Sequence, residues 1–158
     1  RGEKGFYGRE KELNLLIEVL SKSEKQNAIL IGEPGVGKTT IIRALALKLF
    51  SGEVPSLLSH KRILELSVGS LLAGAENQGV LEERIKNIVA ELEHSGSVIL
   101  YIPEIQNMAG ATSLKFDATG VLLSFLQGDK VQVLATVTPQ NYKTFIEGKT
   151  TFANAFEN

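Results

Sequence analysis

A chain of 158 residues, 43% of them hydrophobic and 22% charged, has the composition of one globular domain and length enough to bury about 70% of its unfolded surface. Seventeen Lys and Arg against eighteen Asp and Glu leave a net charge of −1, without the basic excess of a nucleic-acid binder. The absence of cysteine excludes disulfides, thiolate metal sites, iron–sulfur clusters and cysteine nucleophiles. No apolar run approaches the roughly 20 residues of a membrane span and no signal peptide opens the chain. The expectation is a soluble domain of a reducing, cytoplasmic compartment, with no nucleic-acid or membrane partner. Its start at Arg1 rather than Met suggests a piece of a longer protein.

Leu13, Leu16, Ile17 and Leu20 recur at helical spacing and predict an amphipathic helix over Glu10 to Leu20. Lys22 to Gln26 reads as a polar connection. Ala28 to Ile31 is a short apolar run of the kind buried on both faces of a parallel sheet. Thr39 to Phe50 predicts a second helix, apolar nearly all round and so well buried. Gly52 to Pro55 is a turn, Arg62 to Ser67 a strand, and Gly69 to Gly79 a small-residue loop. Leu81 to Glu93 is a helix ended by Gly96. Ser97 to Ile102 is the strongest strand candidate. Ala118 to Leu126 is a helix and Val131 to Thr136 a strand. Thr138-Pro139 opens a last helix toward Glu147, with proline at its first position. This alternation implies an α/β fold, a parallel sheet with helices on both faces.

Gly32-Glu33-Pro34-Gly35-Val36-Gly37-Lys38-Thr39 matches G-x-x-x-x-G-K-[ST] in full, between a buried strand and a helix. Glycines let backbone N–H groups turn inward around a phosphate, and the helix N-terminus adds partial positive charge. Lys38 supplies a mobile cation for the β- and γ-phosphates. The hydroxyl of Thr39 suits the oxygen shell of Mg²⁺. Glu33, Pro34, Gly35, Val36, Gly37, Lys38, Thr39 and Thr40 are therefore the expected nucleotide contacts, with ATP or ADP and Mg²⁺ as ligands. His60 and His94 have no partner pattern, and nothing in the spacing of Asp117 supports a metal-shell role.

Beyond this loop, the phrases SGEVPSLL, LLAGAENQG followed by LEERIK, SVILYIPEI and ATVTPQNYKTFIE stand in a recognisable order. Over Phe6 to Phe156 the chain resembles the first ATPase module of the Clp family of AAA+ unfoldases and disaggregases. The resemblance implies the large α/β subdomain of a P-loop NTPase over residues 1–158, with the helical lid that normally follows absent. It implies a parent that assembles as a ring, usually a hexamer, and threads protein substrates. The isolated fragment is expected to be monomeric. Phe6 and Tyr7 then line the adenine pocket, or else form a small aromatic cluster under the first helix. Glu104 takes the general-base position, or is an exposed acid at a strand end. Thr138 takes the first sensor position, or caps the helix before Pro139; both can hold together.

The resemblance also breaks. Where the family has Asp–Glu after SVILYI, this chain has Pro103-Glu104, and proline has neither carboxylate nor N–H. Where the family grips substrate with an aromatic residue between basic ones, the chain has Glu76-Asn77-Gln78. Where the family places an arginine pair before the final Phe, it has Asn154-Ala155. Losing an arginine finger costs about 10³–10⁵ in rate in related phosphate-loop enzymes. The expectation is a module that binds nucleotide with weak or absent hydrolysis. A working AAA+ ATPase driving protein unfolding and a nucleotide-independent interaction scaffold stand as alternatives.

Overall fold

The structure, a computed structural model, describes residues 10–21, 27–33, 37–95, 97–112, 115–127 and 131–156. In chain order the elements are α1 (Glu10–Leu20), β1 (Ala28–Ile31), α2 (Lys38–Ser51), a 3₁₀ turn (Ser56–Leu58), β2 (Arg62–Glu65), α3 (Val68–Leu72) and α4 (Gln78–Ser95). There follow β3 (Val98–Ile102), a second 3₁₀ turn (Ile105–Met108), α5 (Thr119–Gln127), β4 (Gln132–Val137), α6 (Pro139–Asn141), a π-helical turn (Tyr142–Ile146) and α7 (Thr150–Asn154).

The strands form one sheet in the order β1-β4-β3-β2, every pair parallel. Alternation along each strand divides the core. Ala28, Ile99 and Leu134 face one side, where they pack with Leu13, Leu16, Ile17 and Leu20 of α1 and Ile41, Ile42, Leu45 and Leu49 of α2. Ile29, Leu100, Ile102, Val133, Ala135 and Val137 face the other, against Leu81, Ile85 and Val89 of α4, Leu122 and Leu126 of α5, Ile146, Phe152 and Phe156. Helices thus cover both faces, as the alternation of strands and helices implies.

The elements depart from their sequence reading in definable places. Helix α2 is not buried all round: Leu47 is 69% and Phe50 92% exposed on its outer face. Its far end is closed by Gly52 at φ 82°, whose N–H reaches the carbonyls of Leu49 and Lys48. The stretch read as a loop contains α3, because the Ser67 hydroxyl accepts the Ser70 N–H at 3.3 Å while Val68 and Leu71 enter the core. Strand β2 correspondingly stops at Glu65. Helix α4 starts at Gln78 because the Asn77 side chain accepts the Val80 N–H at 3.0 Å. The last predicted helix widens after α6 into the π turn, closed by a 2.7 Å bond from the Glu147 N–H to the Tyr142 carbonyl. The Lys22 to Gln26 connection and Gly96 lie outside the described residues.

Asp117 holds two parts of the second core layer together. Its carboxylate accepts from the Thr119 N–H at 3.0 Å, the Thr119 hydroxyl at 2.6 Å and Lys149 Nζ at 2.9 Å. This joins the start of α5 to the residue before α7. Partial burial pushes the Asp117 pKa up, but the bonds from Thr119 and Lys149 outweigh it and hold the group below its ordinary 3.8. A folded-state pKa below the unfolded one means stability that is full above the unfolded value. It is lost as pH falls through the folded one. Asp117→Asn should therefore melt earlier than the parent chain at pH 7, and the gap should close in an acid titration monitored by circular dichroism. A gap that persists at the acid end would contradict this account.

Candidate nucleotide-phosphate site

Gly32 follows β1 directly, and its N–H donates to the Val137 carbonyl at 3.0 Å, so the β1–β4 pairing carries on to the first glycine of the motif. Gly37 adopts φ 97°, a conformation that costs a side-chain-bearing residue dearly, and α2 begins at the next residue. Lys38 Nζ folds back on the loop, donating to the Gly32 carbonyl and, at 3.2 Å, to that of Glu33. Pro34, Gly35 and Val36, like Phe6 and Tyr7, lie outside the described residues.

A cleft of about 540 Å³ opens at the C-terminal ends of the strands, where parallel α/β sheets commonly bind ligands. Gly37, Lys38, Thr39 and Thr40 form one wall. Tyr101, Pro103, Glu104 and Gln106 from the end of β3, with Thr136, Val137, Thr138 and Asn141 from the end of β4, form the rest. The structure therefore brings together Gly37, Lys38, Thr39, Thr40, Glu104 and Thr138, which are distant in sequence. Glu33 is exposed and meets Lys38 through its carbonyl.

Glu104 has left-handed backbone, φ 50° and ψ 59°, and its N–H donates to the Thr136 hydroxyl at 3.2 Å. That turn redirects the chain from β3 into the 3₁₀ turn and leaves the Glu104 side chain exposed in the cleft. Thr136, itself buried, also hydrogen-bonds Tyr101. Burial raises the Tyr101 pKa; the Thr136 bond opposes this, and the Glu65 and Glu104 carboxylates add to the rise. Thr138 accepts the Asn141 N–H at 3.2 Å and so caps α6 while lining the cleft.

Tyr101, Gln106, Thr136 and Asn141 were not singled out from sequence. The turn from β3 could have signalled Gln106, because a short turn after Glu104 keeps the next polar residue nearby. Asn77 and Gln78 have structural work instead. Asn77 caps α4, while Gln78 accepts the Asp117 N–H at 3.1 Å and donates to Glu82 at 3.1 Å. Among the described residues no group of three or more His, Asp or Glu converges, and no helix is long and apolar enough to cross a membrane.

Residues 28–151 match the family model described as ATPase family associated with various cellular activities (AAA). The chain is 40% identical to the chaperone protein ClpB of Rickettsia bellii over 153 residues, covering 95% of this chain and 18% of that protein. It is 37% identical over 152 residues to the negative regulator of genetic competence ClpC/MecB of Bacillus subtilis, covering 95% of this chain and 19% of that one. It thus spans about a fifth of the length of these relatives. Among solved structures, the Hsp104–ADP complex of S. cerevisiae superposes with a TM-score of 0.81 at 34% identity, over 94% of this chain and 21% of that one. A closed state of Hsp104 with ATPγS and FITC casein gives 0.83 at 34% identity, over 94% and 26%. With a parallel α/β sheet, a complete phosphate-loop motif and these likenesses, the chain belongs to the AAA ATPase family and is a Clp-type AAA+ module.

Proposed function

We propose that this chain is the large nucleotide-binding subdomain of a longer Clp-type protein, one that holds ATP or ADP and hydrolyses ATP slowly or not at all. The single observation that carries the reading is the contrast between the two walls of the cleft. One wall keeps Lys38 and Thr39 at a helix N-terminus, while the other carries Pro103 beside Glu104. The first is suited to phosphate oxygens. The second has an apolar ring where a carboxylate would steady water. Hsp104 solved with ADP, and with ATPγS and casein, supports adenine nucleotides as ligands and proteins as substrates of the whole assembly.

In this reading Phe6 and Tyr7 contact the adenine, and Glu33 to Thr40 surround the phosphates. Thr138 orients the outermost phosphate while also capping α6. Glu104 stands at the position of the general base. Thr39 offers a hydroxyl at the helix start suited to Mg²⁺, and the wall opposite offers no aspartate among the described residues that line it. This donor set fits an ion that arrives on the nucleotide and keeps most of its waters. Mg²⁺ supplies charge neutralisation of the phosphates when bound. Within a ring of sister subunits, Asn154 and Ala155 reach no neighbouring phosphate as arginines would. The cap that Asn77 makes and the bonds of Gln78 to Asp117 and Glu82 support a module without an aromatic grip on substrate.

The test is isothermal titration of the chain with ATP and ADP, with and without Mg²⁺. Both nucleotides should bind, with affinities that Mg²⁺ changes by less than about threefold. Pro103→Asp should add Mg²⁺ dependence of about tenfold, the worth of one charge-assisted hydrogen bond to metal-shell water. Failure of the parent chain to bind either nucleotide would favour an interaction scaffold. Steady ATP turnover would favour a working ATPase, a reading for which Glu104 in the cleft speaks.

A further inference from the structure

Gln106 is only 7% exposed, yet its side-chain Oε1 has no hydrogen-bond partner among the described residues. Its main chain is engaged: the carbonyl accepts the N–H groups of Ala109 at 2.9 Å and Ala111 at 3.2 Å. Gln106 lines the cleft wall that Pro103 and Glu104 begin. A buried polar group without a partner destabilises the fold, and an apolar side chain of similar volume would not. The other buried polar side chain of this wall, Thr136, is satisfied by Glu104 and Tyr101. The unmet amide thus points to a ligand group rather than to the protein.

A phosphate oxygen has no proton to give an amide oxygen, whereas a water molecule has two. We propose that Gln106 holds the water beside the outermost phosphate of a bound nucleoside triphosphate, a task for which Pro103 has no group. The inference rests on the nucleotide reading above. Gln106 is then a positioning residue: its oxygen accepts one proton of the water and leaves the other to an oxygen of the outermost phosphate. ADP ends one phosphate earlier and makes no use of this water.

The experiment is calorimetric titration of the 158-residue chain and of Gln106→Leu with ATPγS and with ADP. The substitution should weaken ATPγS by about threefold to tenfold, the worth of one hydrogen bond, and leave ADP within about twofold. The unliganded melting temperature should hold or rise, because a dry polar end has been removed. Should the leucine branch prevent folding, the unbranched Gln106→Met gives the same comparison. Equal weakening of both ligands, or of neither, overturns the role of Gln106 while nucleotide binding stands. A parent chain that binds neither ligand overturns the nucleotide reading and this inference with it.

Discussion

Lys38→Ala should weaken both ATP and ADP by about 100-fold in a calorimetric titration. Lys38 is the only cation among the described residues that line the cleft. Its ammonium rests on the carbonyls of Gly32 and Glu33, within the loop that would surround the phosphates. An ion pair near a protein surface is worth up to about 4 kcal/mol at close approach, before the cost of drying both partners. A net loss of about 3 kcal/mol corresponds to the stated factor. The fold should survive, because a positive charge in the first turn opposes the helix dipole and its removal does α2 no harm. A melting point within about 2 °C of the parent would confirm that binding, not folding, was lost. An alanine variant that binds as tightly as the parent would refute the phosphate role of the loop.

Leu134→Ala should cost about 3–4 kcal/mol, the upper part of the range for a leucine removed from a core that cannot collapse. Leu134 is fully buried and sits in the second strand of the sheet, paired with Ala28 on one side and Tyr101 on the other. Strands on both flanks hold the backbone, so the surroundings have little freedom to close over the void. For a domain of this size the melting temperature should drop by about 6–16 °C. Phe50→Ala is the contrast, since a ring 92% exposed has little to lose and its removal should stay within about 0.5 kcal/mol. Similar losses at both positions would contradict this placing of the core.

Much of this architecture was legible because the chain spells its sheet plainly. The short apolar runs that open at Ala28 and Val98 carry no polar alternation, the run Val133-Leu134-Ala135 lies between Gln132 and Thr136, and each is in a strand. The phosphate-loop motif stands out in the sequence because the chemistry proposed for it needs glycine and lysine at fixed spacing. The rest depends on contacts that no local pattern records. Helix α3 needed Ser67 as a cap and a core for Val68 and Leu71, against small residues that read as loop. Asn77 read as a lost grip residue, and its hydrogen bond makes it a helix cap. Thr136 became part of the site only through Glu104 and Tyr101, which a neighbouring strand brings to it. Residues on the outer face of α2 show the opposite failure, because hydrophobicity alone cannot tell which side of a helix meets the sheet.

The left-handed backbone at Glu104 has a consequence for anyone engineering this chain. A residue with a Cβ at φ 50° carries about 1–2 kcal/mol of conformational cost that glycine does not. A library of variants sorted by heat resistance alone would therefore reward glycine at this position and leucine two residues on. Both gains would come from the wall of the cleft, so the hardiest clones would be those whose pocket had been erased. Ligand retention has to be scored beside thermal survival in any such selection.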